Sequence, residues 1–137
     1  MSFNIRARIA IAAAIVTLPA VAHHSHGNYV KEFVDIEGVV TEVALVNPHS
    51  WVFIDVTDAN GQTTEWALEA TNPRALAQLG ISGDYIAVGD AIKARCHPLR
   101  DGEPGCLLGF LQARDGSIID WDGHDAKPVD DGFFDMN

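Results

Sequence analysis

Residues 72–80, with the sequence NPRALAQLG, decide the fold, because they predict one short helix between two groups of strands. Asn72 can serve as the N-cap, Pro73 suits the first helical position, and Gly80 suits the position just after the helix. The two leucines of this stretch are three residues apart, so their side chains can share one buried face. We therefore expect a single helix that packs on a core made by the strands.

The residues around this helix alternate between apolar and polar types, which predicts β-strands on both sides. The predicted strands cover residues 36–46, 51–57 and 63–69 before the helix, and residues 91–97, 106–113 and 117–121 after it. A turn signal at residues 58–61 joins the second and third strands, so the first three should form an antiparallel meander. Gly38 is expected to mark a bulge.

Three strands, a helix and two further strands is the order of the five-stranded OB barrel. The prediction is a mainly β protein, a small five- to six-stranded OB-like barrel with one short helix between strands three and four. A β-sandwich is the alternative. In an OB barrel the loop after strand one and the loop between strands four and five lie at the same end. Here these loops carry His49 and His97, which we expect to be neighbours at the barrel mouth.

The first 22 residues predict a cleaved export signal. Arg6 and Arg8 form a positive N-terminal region, residues 9–18 are almost entirely apolar, and residues 20–22 form a small-x-small cleavage site. The apolar run is shorter than the roughly 20 residues that a membrane-spanning helix needs. We therefore expect cleavage between Ala22 and His23, a periplasmic or secreted protein, and no stable membrane anchor.

The predicted organisation is a signal peptide, a His-rich mobile segment, a β-barrel domain and an acidic tail, at residues 1–22, 23–35, 36–121 and 122–137. The full chain has a formal net charge of −10, and the mature chain would keep 7 basic and 19 acidic residues, which gives −12. Such a surface repels phosphate backbones, so we expect no nucleic-acid partner. The remaining partners are a metal ion, a small ligand or a periplasmic protein.

Cleavage after Ala22 would expose the α-amino group of His23 beside its own imidazole, with His24 and His26 close behind. Neutral amine and imidazole nitrogens bind Cu(II), Ni(II) and Zn(II), and a square-planar nitrogen-rich site favours Cu(II). The sequence therefore predicts a site for copper or another transition metal, which His49 or His97 could complete. The alternative is a solvated leader that binds nothing.

Cys96 and Cys106 are the only cysteines, and an even number in an exported domain predicts a disulfide. Thiolate ligation of a metal beside His97 is the alternative. A disulfide would close a loop of about ten residues between the fourth and fifth strands.

No catalytic motif is recognisable, so no enzymatic activity and no catalytic residue are predicted. The carboxylates Asp55, Glu65 and Glu69 are expected on solvent-facing sides of strands. Three aromatic residues on the second and third strands could form a ligand-binding face, although Trp66 is the one expected to fill the core. They are Trp51, Phe53 and Trp66.

Several short motifs occur in an order that resembles a bacterial family of small exported proteins classed as a domain of unknown function. They are His23-His24-Ser25, Asn47-Pro48-His49, Trp66, Gly89-Asp90 and the run at residues 97–102, His-Pro-Leu-Arg-Asp-Gly. The resemblance covers roughly residues 20 to 120 and leaves the acidic tail outside it. It implies an exported β-rich domain, and it implies no activity. The cysteine pair is not a hallmark of this family.

Two functions of different class follow. The first is a periplasmic binding domain for Cu(II) or another transition metal, which uses the mature N-terminal histidines. The second is an accessory or ligand-binding module that needs no metal. A redox enzyme built on the N-terminal copper site is a third and weaker alternative.

Overall fold

The computed structural model describes residues 26–123 of the chain. These residues contain six strands, one α-helix and one turn of 3-10 helix, joined by loops. The two helices are the 3-10 turn His26–Asn28 and α1 (Pro73–Gln78). The strands are β1 (Val34–Ala44), β2 (Ser50–Thr57), β3 (Thr63–Ala70), β4 (Ala91–Pro98), β5 (Gly105–Gln112) and β6 (Ile118–Asp120). Within these residues, no helix is long and apolar enough to cross a membrane.

The first five strands close into a barrel. β1 pairs antiparallel with both β2 and β4, β2 pairs with β3, and β4 pairs with β5. A parallel pairing between β3 and β5 completes the circle, with Glu69 opposite Leu107. β6 adds a short antiparallel partner to β5. The predicted OB-like barrel is therefore confirmed, with β6 as an extra strand.

α1 lies between β3 and β4 in the chain, as predicted, and begins and ends where its sequence indicates. The Asn72 side chain accepts a hydrogen bond from the Ala75 amide at 3.0 Å, and Pro73 occupies the first turn. Gly80 has a φ of +85°, which suits the residue just after a helix. Leu76 is fully buried and belongs to the barrel core, so the helix closes over apolar residues of the strands.

The alternation of side chains along the strands agrees with the predicted pattern. On β2, Val52 and Ile54 are fully buried, and on β4 Ile92, Ala94 and Cys96 point into the same core. β1 begins at Val34, two residues before the predicted start. The backbone pairing with β4 already includes Val34 and Asp35, and the Asp35 carboxylate forms two hydrogen bonds with the Arg95 guanidinium, at 2.6 and 2.8 Å.

The bulge in β1 lies at Thr41, and the expectation that Gly38 marks it is wrong. Val40 pairs with Ile54 and Glu42 pairs with Phe53, so Thr41 is the extra residue. Gly38 has a different role, because a Cβ atom there would lie 2.6 Å from the backbone oxygen of Asp55. Glycine is needed at this position for the close approach of two strands.

Candidate functional site at the barrel end

The N-terminal segment, defined here as residues 27–31, lies against the hairpin formed by β4 and β5. The Val30 amide donates to the Pro98 carbonyl at 2.8 Å, and the Arg100 amide donates to the Asn28 carbonyl at 2.9 Å. The Arg100 side chain adds a third bond, from Nε to the Gly27 carbonyl at 2.8 Å. The sequence predicts a mobile region over residues 23–35, whereas these contacts attach residues 27–30 to the barrel.

Glu69 is the centre of a polar cluster next to this segment. One oxygen of its carboxylate accepts a hydrogen bond from the Tyr29 phenol, and the other is bonded to Nδ1 of His49. The side chains of His49 and Glu69 are 26% and 16% exposed, so the pair is partly shielded from solvent. Burial raises the pKa of the Tyr29 phenol, and the hydrogen bond and negative charge of Glu69 raise it further.

The position of this cluster follows from the register of the strands. Glu69 lies opposite Trp51 on β2, and His49 precedes Trp51 by two residues. The side chains of Glu69 and His49 therefore both lie on the outer side of the barrel. The loop before β2 contains the Asn47–Pro48 bond, which is cis.

Because a carboxylate can only accept hydrogen bonds, Nδ1 of His49 must carry the proton that it shares with Glu69. In the tautomer that carries this proton on Nδ1, Nε2 is the ring nitrogen that could bind a metal ion.

His97 lies on the same outer surface, two strands away from Glu69. Leu107 of β5 pairs with Glu69 on one side and with His97 on the other. Two strand spacings correspond to about 10 Å between the Cα atoms of Glu69 and His97. The His97 ring stacks on Phe33, with ring centroids 4.0 Å apart, and its Nδ1 is buried with no hydrogen-bond partner in the described part of the chain.

Only some of the predicted metal ligands lie within the residues that the structure describes. His23 and His24 lie outside residues 26–123, as do His124 and most of the acidic tail, while His26 begins the 3-10 turn. Among the described residues, no three His, Cys, Asp or Glu side chains are arranged to hold a metal ion. The structure thus brings His49 together with Glu69 and Tyr29, and His97 together with Phe33.

The three candidate aromatic residues divide between the two sides of the sheet. Trp51 and Phe53 lie side by side on the outer surface, with ring centroids 6.4 Å apart. Trp66 pairs with the buried Ile54 and packs against the core, as expected for this residue. The outer aromatic face therefore consists of Trp51 and Phe53 without Trp66.

Cys96 and Cys106 form a disulfide across the β4–β5 hairpin, as predicted. Both cysteines are buried, and within residues 26–123 there is no free thiol to bind a metal. The covalent link holds together the two strands on which the N-terminal segment lies.

Tyr29 and Glu69 are the site residues that the sequence did not reveal. Glu69 alternates with the buried residues Leu68 and Ala70, so its pattern is that of an ordinary solvent-facing carboxylate. Its role depends on Tyr29 and His49, which are 40 and 20 positions away in the chain. The position of Glu69 near the end of β3 is a weak local indication that this residue has a functional role.

A sequence model of a protein family, described as "Family of unknown function (DUF6152)", matches residues 11–108. The chain belongs to this family. The match confirms the resemblance to a domain of unknown function, and it includes His49, His97 and Glu69. None of the proteins with curated descriptions matches the sequence.

Among solved structures, the chain is similar to the mitochondrial single-stranded DNA-binding protein Rim1 from S. cerevisiae. The two share 13% sequence identity over 63% of this chain and 97% of that chain, with a TM-score of 0.46. A likeness this weak supports no conclusion about the present protein.

Proposed function

We propose that this protein is an exported metal-binding domain, which takes up Cu(II) or a similar transition-metal ion after cleavage between Ala22 and His23. The amine and the imidazole of His23 would form one chelate, and Nε2 of His49 would supply a donor from the barrel. The observation that carries the proposal is the bond between Glu69 and Nδ1 of His49.

A carboxylate behind a histidine is the usual arrangement at metal centres. Histidine ligands almost always donate their second ring N–H to a carboxylate, a carbonyl or water, which fixes the tautomer and makes the ligating nitrogen more basic. Glu69 makes this contact with His49, and Tyr29 holds the other carboxylate oxygen. The pair is therefore oriented in the way a metal ligand requires.

The attachment of residues 27–30 to the barrel limits how far the predicted mature N-terminus can lie from the barrel. His23 is four residues before Gly27, and an extended chain of four residues spans at most about 14 Å. Tyr29, six residues after His23, contacts the same carboxylate as His49. A short connection from Gly27 would thus let the nitrogen donors of His23 approach His49.

The donor types favour late first-row metals. An α-amino group has an ordinary pKa near 8, so a metal can displace its proton around neutral pH. Amine and imidazole nitrogens bind Cu(II) most strongly among the divalent ions of this row. His24 and His26 would be further donors, because they are close to His23 in the chain. His97 is left out of the proposed set, because its ring stacks on Phe33 and its Nδ1 is buried.

A Cu(II) competition titration of the protein that begins at His23 tests the proposal. The matched control carries one additional Met before His23, which removes the amine of His23 as a donor and leaves every side chain. We expect the extension to weaken Cu(II) binding by at least about tenfold. Equal affinities for the two proteins would rule out the N-terminal chelate.

The barrel ligand is tested separately with His49→Ala, and His124→Ala is the control for loss of a histidine. We expect His49→Ala to weaken Cu(II) binding by about tenfold and to remove one nitrogen from the electron paramagnetic resonance spectrum. If His49→Ala and His124→Ala bind Cu(II) alike, then His49 is not a ligand.

A second candidate function is an accessory or ligand-binding module that needs no metal and has no catalytic activity. A cavity beside His97 favours it, because sites for small molecules are concave and lined mostly by apolar groups with a few polar ones.

A further inference from the structure

A cavity of about 460 Å³ lies between the N-terminal segment and the β4–β5 hairpin. One wall is the N-terminal segment itself, which the bonds from Val30 to Pro98 and from Arg100 to Asn28 hold in place. The opposite wall belongs to strands joined by the Cys96–Cys106 disulfide. The cavity is therefore bounded on both sides by backbone that hydrogen bonds or covalent links restrain. Its volume is in the range of sites for small organic molecules, and it is much larger than a single ion requires.

Two positive charges lie at this cavity in a protein that is otherwise strongly acidic. Lys31 and Arg100 both line it, and neither forms an ion pair within residues 26–123. Nε of Arg100 is bonded to the Gly27 carbonyl, which orients the guanidinium and leaves its two terminal nitrogens as donors. Unpaired cations at a concave surface favour an anionic group.

The rest of the lining is mostly apolar. Val30 and Leu107 contribute aliphatic side chains, and both are half-buried. The His97 ring also lines the cavity and is held by its stacking on Phe33. Because Nδ1 of His97 is buried, Nε2 is the ring nitrogen that remains to contact a ligand. An apolar wall with a few polar groups is typical of a site for an organic ligand.

We propose that this cavity binds a small organic anion, in which one carboxylate is carried on an apolar chain or ring. Lys31 and Arg100 would bind the carboxylate, and Val30 and Leu107 would contact the apolar part. The proposal does not depend on the metal site, because none of these four side chains is a metal donor in the proposed function.

Octanoate is a suitable probe, and acetate and octan-1-ol are its matched controls. Acetate keeps the charge without the apolar chain, and octan-1-ol keeps the chain without the charge. The titrations use the folded protein after a chelator has removed any bound metal. An absence of octanoate binding would therefore not contradict the proposed metal site. We expect saturable binding of octanoate, with acetate and octan-1-ol at least about tenfold weaker.

Two substitutions place the binding in the cavity. Lys31→Gln removes a cation that lines it, and Arg74→Gln removes an exposed cation on α1. We expect Lys31→Gln to weaken octanoate binding by about fivefold and Arg74→Gln to leave it unchanged. In ¹H–¹⁵N spectra, octanoate should shift the amide signals of Val30, His97 and Leu107 more than those of α1.

The proposal is overturned by any of four results. It is overturned if octanoate does not bind at millimolar concentration or if octan-1-ol binds as tightly as octanoate. It is also overturned if Lys31→Gln and Arg74→Gln have the same effect on octanoate binding. Amide shifts confined to residues outside the cavity would also overturn it.

Discussion

The phenol of Tyr29 donates a hydrogen bond to the carboxylate of Glu69, and this contact joins the N-terminal segment to β3 across 40 positions of the chain. Both side chains are half-buried, so the bond is partly protected from competition with water. Through Glu69 the same contact reaches His49. The hydrogen bond thus links the segment that follows the predicted cleavage site to the barrel.

This contact predicts a loss of stability in alkaline solution. The pKa of Tyr29 is raised above its ordinary value of 10.0 by burial and by Glu69, so the folded state keeps the phenol proton at a pH where the unfolded chain loses it. The contribution is complete below the unfolded pKa and falls as pH rises above about 10. Urea unfolding between about pH 9 and pH 11 should show a smaller loss for Tyr29→Phe than for the parent protein.

Tyr85 is the other tyrosine of the chain, and burial raises its pKa as well. The double variant Tyr29→Phe, Tyr85→Phe should therefore lose the least stability of the three proteins over this pH range. An identical pH dependence in the parent protein and in Tyr29→Phe would contradict the role given to Tyr29.

Glu69→Gln is expected to weaken Cu(II) binding by roughly 10–100-fold under the proposed function. The amide keeps the shape of the carboxylate, but it no longer makes the imidazole of His49 more basic. Glu65→Gln is the control, because Glu65 is exposed on the same strand. Competition titrations over a range of pH values measure the effect, and thermal unfolding checks that both variants fold. Similar Cu(II) affinities for the two variants would show that Glu69 does not position a ligand.

Replacement of Cys96 and Cys106 by alanine should lower the free energy of unfolding by roughly 2–3 kcal/mol, because the link closes a loop of about ten residues. The N-terminal segment should loosen too, since it lies on this hairpin. Hydrogen exchange of the Val30 amide, which is bonded to Pro98, should become faster than that of the Leu76 amide in α1, relative to the parent protein. Equal acceleration at both amides would mean that the disulfide acts only on global stability.

Gly38→Ala should destabilise the barrel by about 1–3 kcal/mol, because the new methyl group would lie 2.6 Å from the Asp55 backbone oxygen. Gly83→Ala is the matched control, since a methyl group there would meet nothing within 4 Å. Urea unfolding of both variants checks this prediction. Equal stabilities would show that β1 and β2 can separate at this point without cost.

A chain that begins at His23 should not bind single-stranded DNA in about 0.15 M salt, because its formal charge of −12 (7 basic and 19 acidic residues) would repel the phosphate backbone. Fluorescence anisotropy of a labelled oligothymidine measures this directly. Saturable binding that weakens as salt is added would contradict the prediction and would point to a local basic surface.

The candidate site was predicted only in part from the sequence. His49 and His97 could be placed at one end of the barrel, because the order of strands and helix indicates which loops share that end. The partners of these histidines could not be predicted. Glu69 looks like a solvent-facing residue in its own strand, and Tyr29 lies in a segment with no strand pattern.

By itself, the sequence determined the alternation of the strands, the capped helix between β3 and β4, and the pairing of Cys96 with Cys106. These features depend on neighbouring residues and on short loops, so local patterns are enough to specify them. Only the tertiary structure decided that Tyr29 and His49 meet at Glu69, and that Lys31 and Arg100 line one cavity. Such contacts depend on the closure of the barrel through β3 and β5 and on the path of the N-terminal segment, and neither leaves a periodic signal in the chain.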